Sequence, residues 1–316
     1  MPIEKSRHPV RSSLVLLLTA FIWGIAFVAQ RVGMDYIGPF LFAGMRFWLG
    51  ALTLLALLLI SRLIRRNNTD KSTAWPVMPR RQLVKAGVIC GLFLFIGGAL
   101  QQVGLVFTSA SKAGFLTALY IVLVPVLGII VRNKTHWNTW IGVVMAFAGI
   151  YFLSITKSLT IEPGDLIIII GAFFWAGHIL AVDRFVGAIS QREVLKFCVV
   201  QFIFAGSLAL LATPWLDAFF VDRVFDLPTI YQAAVPILYA GILSTGVAFT
   251  FQAIGQQGLP PAAAAIIMSL EAVFSVLGGM VLLHEVLSGR ELFGCLLMFA
   301  AVIVAQLPQK HRQGNT

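Results

Sequence analysis

Glu271 is the residue most in need of a chemical explanation. It stands inside an apolar run, 261–283, that reads PAAAAIIMSLEAVFSVLGGMVLL after a first proline at 260. A run of about 20 apolar residues crosses a bilayer as a helix. A carboxylate at its centre costs on the order of 3 kcal/mol on insertion scales. Ten residues in from Pro261, at about 1.5 Å each, it lies about 15 Å deep, near the middle of a hydrocarbon layer about 30 Å thick. Two roles suit it: carrying a proton between the two sides, or holding two helices together in a fixed ion pair. Ser275 and Gly278 follow at i+4 and i+7, extending a small polar stripe on the same face.

Other polar and aromatic residues interrupt the apolar runs. Arg46 reads either as a clamp for a substrate carboxylate or partner of Glu271, or as a cap on helix-end carbonyls. Gln101 and Gln102 break one run, and Gln252 and Gln256 another. Buried amides either line a cavity or hydrogen-bond between helices. Trp23, Phe27 and Gln30 share a helix face at i, i+4 and i+7, Trp175 and His178 are neighbours at i, i+3, and Tyr120 is alone in mid-run. An aromatic-lined space would suit a ring-containing or amphipathic substrate; ordinary packing is the alternative. Asp183-Arg184 and the Arg31, Asp35 pair read as solvated helix-end charges. His284-Glu285 is not a zinc motif, because position 288 is Ser where a second His is required. No Gly-rich phosphate loop or nucleophile elbow is present, so no cofactor, metal or catalytic residue is expected. Cys90, Cys198 and Cys295 lie in apolar runs without metal spacing and read as packing residues.

The elements that must position these residues follow from composition. Hydrophobic residues make up 59% of the 316 and charged residues 11%, against about 25% charged in soluble domains. This excludes a water-soluble core. Alternating ten-residue barrel segments are absent, so the spans are helices. Ten can be drawn, at 14–32, 39–60, 86–107, 113–131, 137–155, 166–185, 197–215, 231–255, 261–283 and 292–307. No small-residue cleavage site closes the first run, which is therefore expected to be retained as a span.

The net charge of +10 does not signal nucleic acid, because the basic residues cluster in alternate connections. Of 23 Lys and Arg, 17 fall on the side of the N-terminus, 5 on the other, and Arg46 lies within a span. The positive-inside rule then puts both termini, 1–11 and 308–316, in the cytoplasm. The polar connection 61–81 reads as a flexible basic cytoplasmic loop, either setting topology or touching anionic lipid.

The chain also repeats. Shifted by 150, Gly91 meets Gly241, Gln102 meets Gln252, Ala113 meets Ala263, and Val126-Leu127-Gly128 meets Val276-Leu277-Gly278. Shifted by 152, Ala20-Phe21-x-Trp23 meets Ala172-Phe173-x-Trp175, and Gly142 meets Gly294. Each half, 12–156 and 164–307, holds five spans. Five is odd, so the copies run in opposite senses. The fold class is therefore an all-α membrane protein of about ten transmembrane helices in two inverted five-helix repeats, with a binding site where the repeats meet.

Several motifs carry a family resemblance. They are Phe21-Ile-Trp23-Gly24, Gly44-Met-Arg46-Phe47, Gly114-Phe-Leu-Thr-Ala-Leu-Tyr120 through Val124-Pro125, and Ser269-Leu-Glu271-Ala-Val-Phe274. Gly278-Gly279, Glu285-Val-Leu-Ser288 and Gly294 complete the set. In this order the chain, from about 12 to 307, resembles an EamA-type member of the drug/metabolite transporter superfamily. Where that family often has proline after the central glutamate, this chain has Ala272, so its ninth helix is expected to be straighter. The resemblance implies a central cavity, alternating access and, in most cases, export of small metabolites across a bacterial inner membrane. It leaves the substrate, the coupling ion and the oligomeric state open.

These readings lead to a secondary active transporter, with Trp23, Phe27, Arg46, Gln102, Tyr120, Trp175, His178, Gln252 and Ser275 as substrate-binding residues and Glu271 as the coupling residue. The expected partners are a small-molecule substrate, the lipid bilayer and protons. The alternatives are a membrane-embedded enzyme acting on lipid, for which the spans hold too few paired catalytic groups, and a non-transporting sensor, for which no polar stretch is long enough to form a signalling domain.

Overall fold

The computed structural model describes residues 9–65, 77–131, 135–154, 163–187, 189–222, 224–283 and 289–307. The tails 1–8 and 308–316, most of the basic connection at 66–76, and His284-Glu285 lie outside the described residues.

The first half runs α1 (Pro9–Gly33), α2 (Pro39–Arg65), α3 (Arg80–Phe107), α4 (Ala110–Thr117), α5 (Tyr120–Ile130) and α6 (Trp137–Ser154). The second runs α7 (Pro163–Val186), α8 (Gln191–Leu216) with a 3₁₀ turn Asp217–Phe219, α9 (Leu227–Gln232), α10 (Ala234–Leu238), a π-helix (Tyr239–Ala248), α11 (Phe249–Gln256), α12 (Pro261–Met268), α13 (Glu271–Leu283) and α14 (Gly289–Gln306). Eight stretches are long and apolar enough to cross a membrane, and Trp137–Phe152 and Leu292–Ala305 are shorter apolar helices. With α4–α5 counted as one span, α10 through α11 as one, and α12–α13 as one, these make ten. Helices such as α1 and α2 outrun their apolar cores, because polar residues like Arg11 and Arg62 continue the helix into the headgroup layer.

The packing is pseudo-symmetric. α6 lies along α14, and α2 lies along α8; each of these pairs is one span and its counterpart in the other half. α1 packs on α11, α12, α13 and the π-helix, as α7 packs on α3, α4 and α5. An inverted repeat predicts this arrangement. Small residues allow the close crossings. A methyl on Gly24 would sit 2.4 Å from Phe274 Cβ, and one on Gly149 2.8 Å from the Gly294 carbonyl oxygen.

Polar ties close the two ends of the bundle. At one face, the Lys112 ammonium contacts Asp165 Oδ2 at 2.6 Å, and Thr108 Oγ1 donates to Asp165 Oδ1 at 3.1 Å. On the same face, Asp217 accepts the backbone N–H of Phe40 and of Leu41 at 2.8 and 2.7 Å. It thereby satisfies two of the orphan donors that begin α2. At the opposite face, Gln257 Nε2 donates to the carbonyls of Val186 and Ile189 at 2.8 and 2.9 Å.

The ninth span is not one continuous helix. It is interrupted at Ser269-Leu270 although no proline is present. Ser269 turns with φ −62° and ψ −13°, and its hydroxyl donates to the Ile266 carbonyl at 2.8 Å. That side-chain bond competes with the helical ladder, so Ala272 does not keep the helix continuous. The fourth span breaks the same way at Ala118, with φ −63° and ψ −7°.

Candidate functional site: a polar cavity between the repeats

The two broken spans meet α1 at the centre of the bundle. There the side chains of Trp23, Phe27, Gln30, Arg46, Gln101, Thr117, Tyr120, Trp175, Ile179, Ser244, Phe249, Gln252 and Glu271 line one common space. The two interrupted helices place Tyr120 and Glu271 at the first position of α5 and of α13. A helix start is a favourable place for a carboxylate, because its free N–H groups carry partial positive charge.

The cavity lining holds one cation, Arg46, and one carboxylate, Glu271. Arg46 is 2% exposed. Its Nη1 donates to Gln30 Oε1 at 2.8 Å, and its guanidinium carbon lies 4.7 Å from the Phe47 ring centroid. Gln30 is itself held, donating through Nε2 to the Ala26 carbonyl at 3.1 Å and accepting from Gln101 Nε2 at 3.2 Å. Arg46 Nε and Nη2 have no partner. Glu271 is 3% exposed. It neighbours the Tyr120 hydroxyl, but neither that hydroxyl nor Glu271 Oε1 has a satisfying hydrogen bond. Gln252 Oε1, Thr117 Oγ1 and Trp175 Nε1 are unpartnered as well. Arg46 and Glu271 do not form an ion pair; among the described residues, Arg46 has turned to Gln30 instead.

Three aromatic rings form one wall of the cavity. Trp23 lies 4.7 Å from Phe249, and Trp175 stacks on Phe249 at 5.9 Å with 20° between planes. Trp23 is fixed by donating Nε1 to the Ser244 carbonyl at 3.1 Å. That carbonyl lies in the π-helix, whose i→i+5 ladder widens the turn.

The structure brings Trp23, Phe27, Arg46, Tyr120, Trp175, Gln252 and Glu271 to this one space. Three of the expected residues lie elsewhere. Gln102 is buried but points away, donating to Met34 Sδ at 3.3 Å; one residue is about 100° of helix rotation, and Gln101 takes the inward position. His178 sits behind the aromatic wall, its Nε2 3.0 Å from Gln201 Oε1 and its ring against Trp175 and Phe249. Ser275 packs against α4, donating to the Ala110 carbonyl at 3.4 Å and fitting beside Gly114. The lining residues outside the expected set are Gln30, Gln101, Thr117, Ile179, Ser244 and Phe249. Gln30 shares the Trp23 face, and Thr117 precedes Tyr120 by one turn, so spacing signals both. Nothing in the sequence marks Ser244 or Phe249, because the π-helix rotates that span off α-periodicity.

Two five-helix halves packed about a pseudo-twofold, with broken spans and unpaired polar groups at the centre, define a multi-pass membrane protein built as an inverted-repeat transporter. Two segments, 11–155 and 162–306, match the EamA-like transporter family, and the chain belongs to that family. It is 30% identical over 94% of its length to an uncharacterized transporter of Archaeoglobus fulgidus, covering 86% of that protein. It is 24% identical to the uncharacterized transporter YoaV of Bacillus subtilis, covering 93% of this chain and 96% of that one. It is 27% identical to the uncharacterized inner membrane transporter YedA of Escherichia coli K12, over 63% of each. A solved crystal structure with 19% identity superimposes with a TM-score of 0.71 over 94% of this chain and 96% of the other, a likeness of fold.

Proposed function

We propose that this protein is a secondary active exporter of small amphipathic metabolites. It works by alternating access in an inner membrane, with both termini cytoplasmic and Glu271 carrying the coupling proton. The observation that supports this most directly is the placement of Arg46 and Glu271 in the lining of one cavity, each buried and neither paired with the other. The free Arg46 Nε and Nη2 form the edge of a guanidinium that grips a carboxylate with two parallel hydrogen bonds. Gln30 holds that edge in orientation through Nη1. The aromatic wall of Trp23, Phe249 and Trp175 takes the apolar body of the substrate. Glu271 exchanges its proton with whichever side the cavity faces. The polar ties at the two faces are what must open in turn.

The test is Glu271→Gln in membrane vesicles with an imposed proton gradient. The variant is expected to reach the membrane and retain substrate binding while losing gradient-driven transport. Full gradient-driven transport by Glu271→Gln across pH would overturn the coupling role.

A further inference from the structure

Away from the cavity, α3 and α7 leave a notch at their ends. It is lined by Arg81, Gln82, Lys85, Arg184 and Phe185. Three cations converge there from helices about a hundred residues apart in sequence, and among the described residues no carboxylate lines it. Arg81 and Lys85 are one turn apart at the start of α3, and Arg184 is in the last turn of α7. All three are exposed. Their place at the helix ends puts them at headgroup depth, and α3 begins at this point, so its free amide groups add to the positive field.

We propose that this notch binds the phosphate headgroup of an anionic phospholipid. The apolar surface beside it favours a lipid over a soluble anion. Along the membrane-facing side of the same two helices, Val84 and Leu92 on α3 and Ile170 and Phe173 on α7 are 47–52% exposed. Between them, Phe93 fills the space over Gly177, where a methyl would come within 2.5 Å of its ring. Phe93 also lies 6.5 Å from Phe174. An acyl chain laid on this wall gains contact area, whereas a free phosphate gains nothing from it. Gln82 supplies an amide for a phosphate oxygen or a headgroup hydroxyl. The site is independent of the transport reading and stands or falls without it.

The test is a titration of the purified full chain in detergent with phosphatidylglycerol or phosphatidylcholine, counting bound lipids by native mass spectrometry. A triple variant, R81Q/K85Q/R184Q, is compared with a control of equal charge at the same face, R11Q/R62Q/R192Q. Phosphatidylglycerol is expected to bind preferentially, on the order of tenfold more weakly to the first variant and within about twofold of the parent to the control. Millimolar glycerol phosphate should not displace it. Should the triple variant melt early, Arg184→Gln alone is read in the same titration, with a loss of about threefold expected. Equal loss in both triple variants, or no loss in Arg184→Gln where that single is read, would overturn the site. So would equal binding of the two lipids, or displacement by glycerol phosphate.

Discussion

The two halves of the molecule share a backbone device and differ in the chemistry mounted on it. In the fourth span, Leu119 N–H bonds to the Leu116 carbonyl and Ile121 N–H to that of Ala118. In the ninth, Leu270 N–H bonds to the Ile267 carbonyl and Ala272 N–H to that of Ser269. Both are i→i−3 bonds that tighten one turn at mid-membrane, and they correspond at a shift of 151. Tyr120 then stands where Glu271 stands. At the shift of 152 that relates the first spans of the two halves, Trp23 matches Trp175 and both line the cavity, while Arg46 comes from α2 and, among the described residues, the counterpart helix α8 puts no side chain there. The tryptophan is duplicated and the charges are not. An inverted repeat can keep a symmetric frame while confining each charge to one copy.

The largest effect should come from erasing that asymmetry. Arg46→Cys takes the cation out of the cavity and leaves a small neutral side chain. Hydrogen bonds to a charged group contribute about 1.5–3 kcal/mol, so substrate binding should weaken by roughly 10- to 150-fold, measured by titration of the purified protein. Cys198→Ala, buried on α8 outside the cavity lining, should change binding by less than about twofold. Comparable losses at both sites would mean that the charge asymmetry is not what selects substrate.

A smaller effect should separate Tyr120 from Glu271. Tyr120→Phe removes a hydroxyl and no charge. It should lower the rate of gradient-driven transport several-fold without abolishing it, matching about 1 kcal/mol for the one hydrogen bond that the unpartnered hydroxyl would give to bound substrate. Complete loss in Tyr120→Phe would move the coupling role onto the pair rather than onto the carboxylate.

Much of this was legible in the sequence, because hydrophobic runs, basic connections and repeated small residues all act through one-dimensional spacing. Ten spans and the two inverted halves follow from it. The register of the eighth span does not. The 150-residue shift that aligns Gly91 with Gly241 also pairs Gln102 with Gln252, whereas the cavity holds Gln101 and Gln252, 151 apart. The π-helix Tyr239–Ala248 begins just before Gly241 and ends just short of Gln252, and its wider turns absorb the extra residue. No side chain in that stretch announces an i→i+5 ladder. Gln101→Leu should therefore impair transport more than Gln102→Leu in vesicle uptake assays, and the reverse order would restore the 150-residue register.

The finest distinction lies between the matched tryptophans. Both indoles face the cavity, but Trp23 Nε1 donates to the Ser244 carbonyl, while Trp175 Nε1 has no partner. Trp23→Phe removes a made hydrogen bond and leaves the carbonyl of a π-turn unsatisfied, so it should destabilise the folded protein by about 1 kcal/mol. Trp175→Phe removes a donor that is buried without a partner, which costs no hydrogen bond and relieves a desolvated N–H. Thermal melting in detergent should show Trp23→Phe below the parent and Trp175→Phe at or above it. Substrate should reverse the order. If the free indole N–H of Trp175 reaches the bound molecule, added substrate will raise the melting temperature of Trp23→Phe as it does the parent's and that of Trp175→Phe by less. Equal substrate-induced shifts in the two variants would reduce Trp175 to a wall.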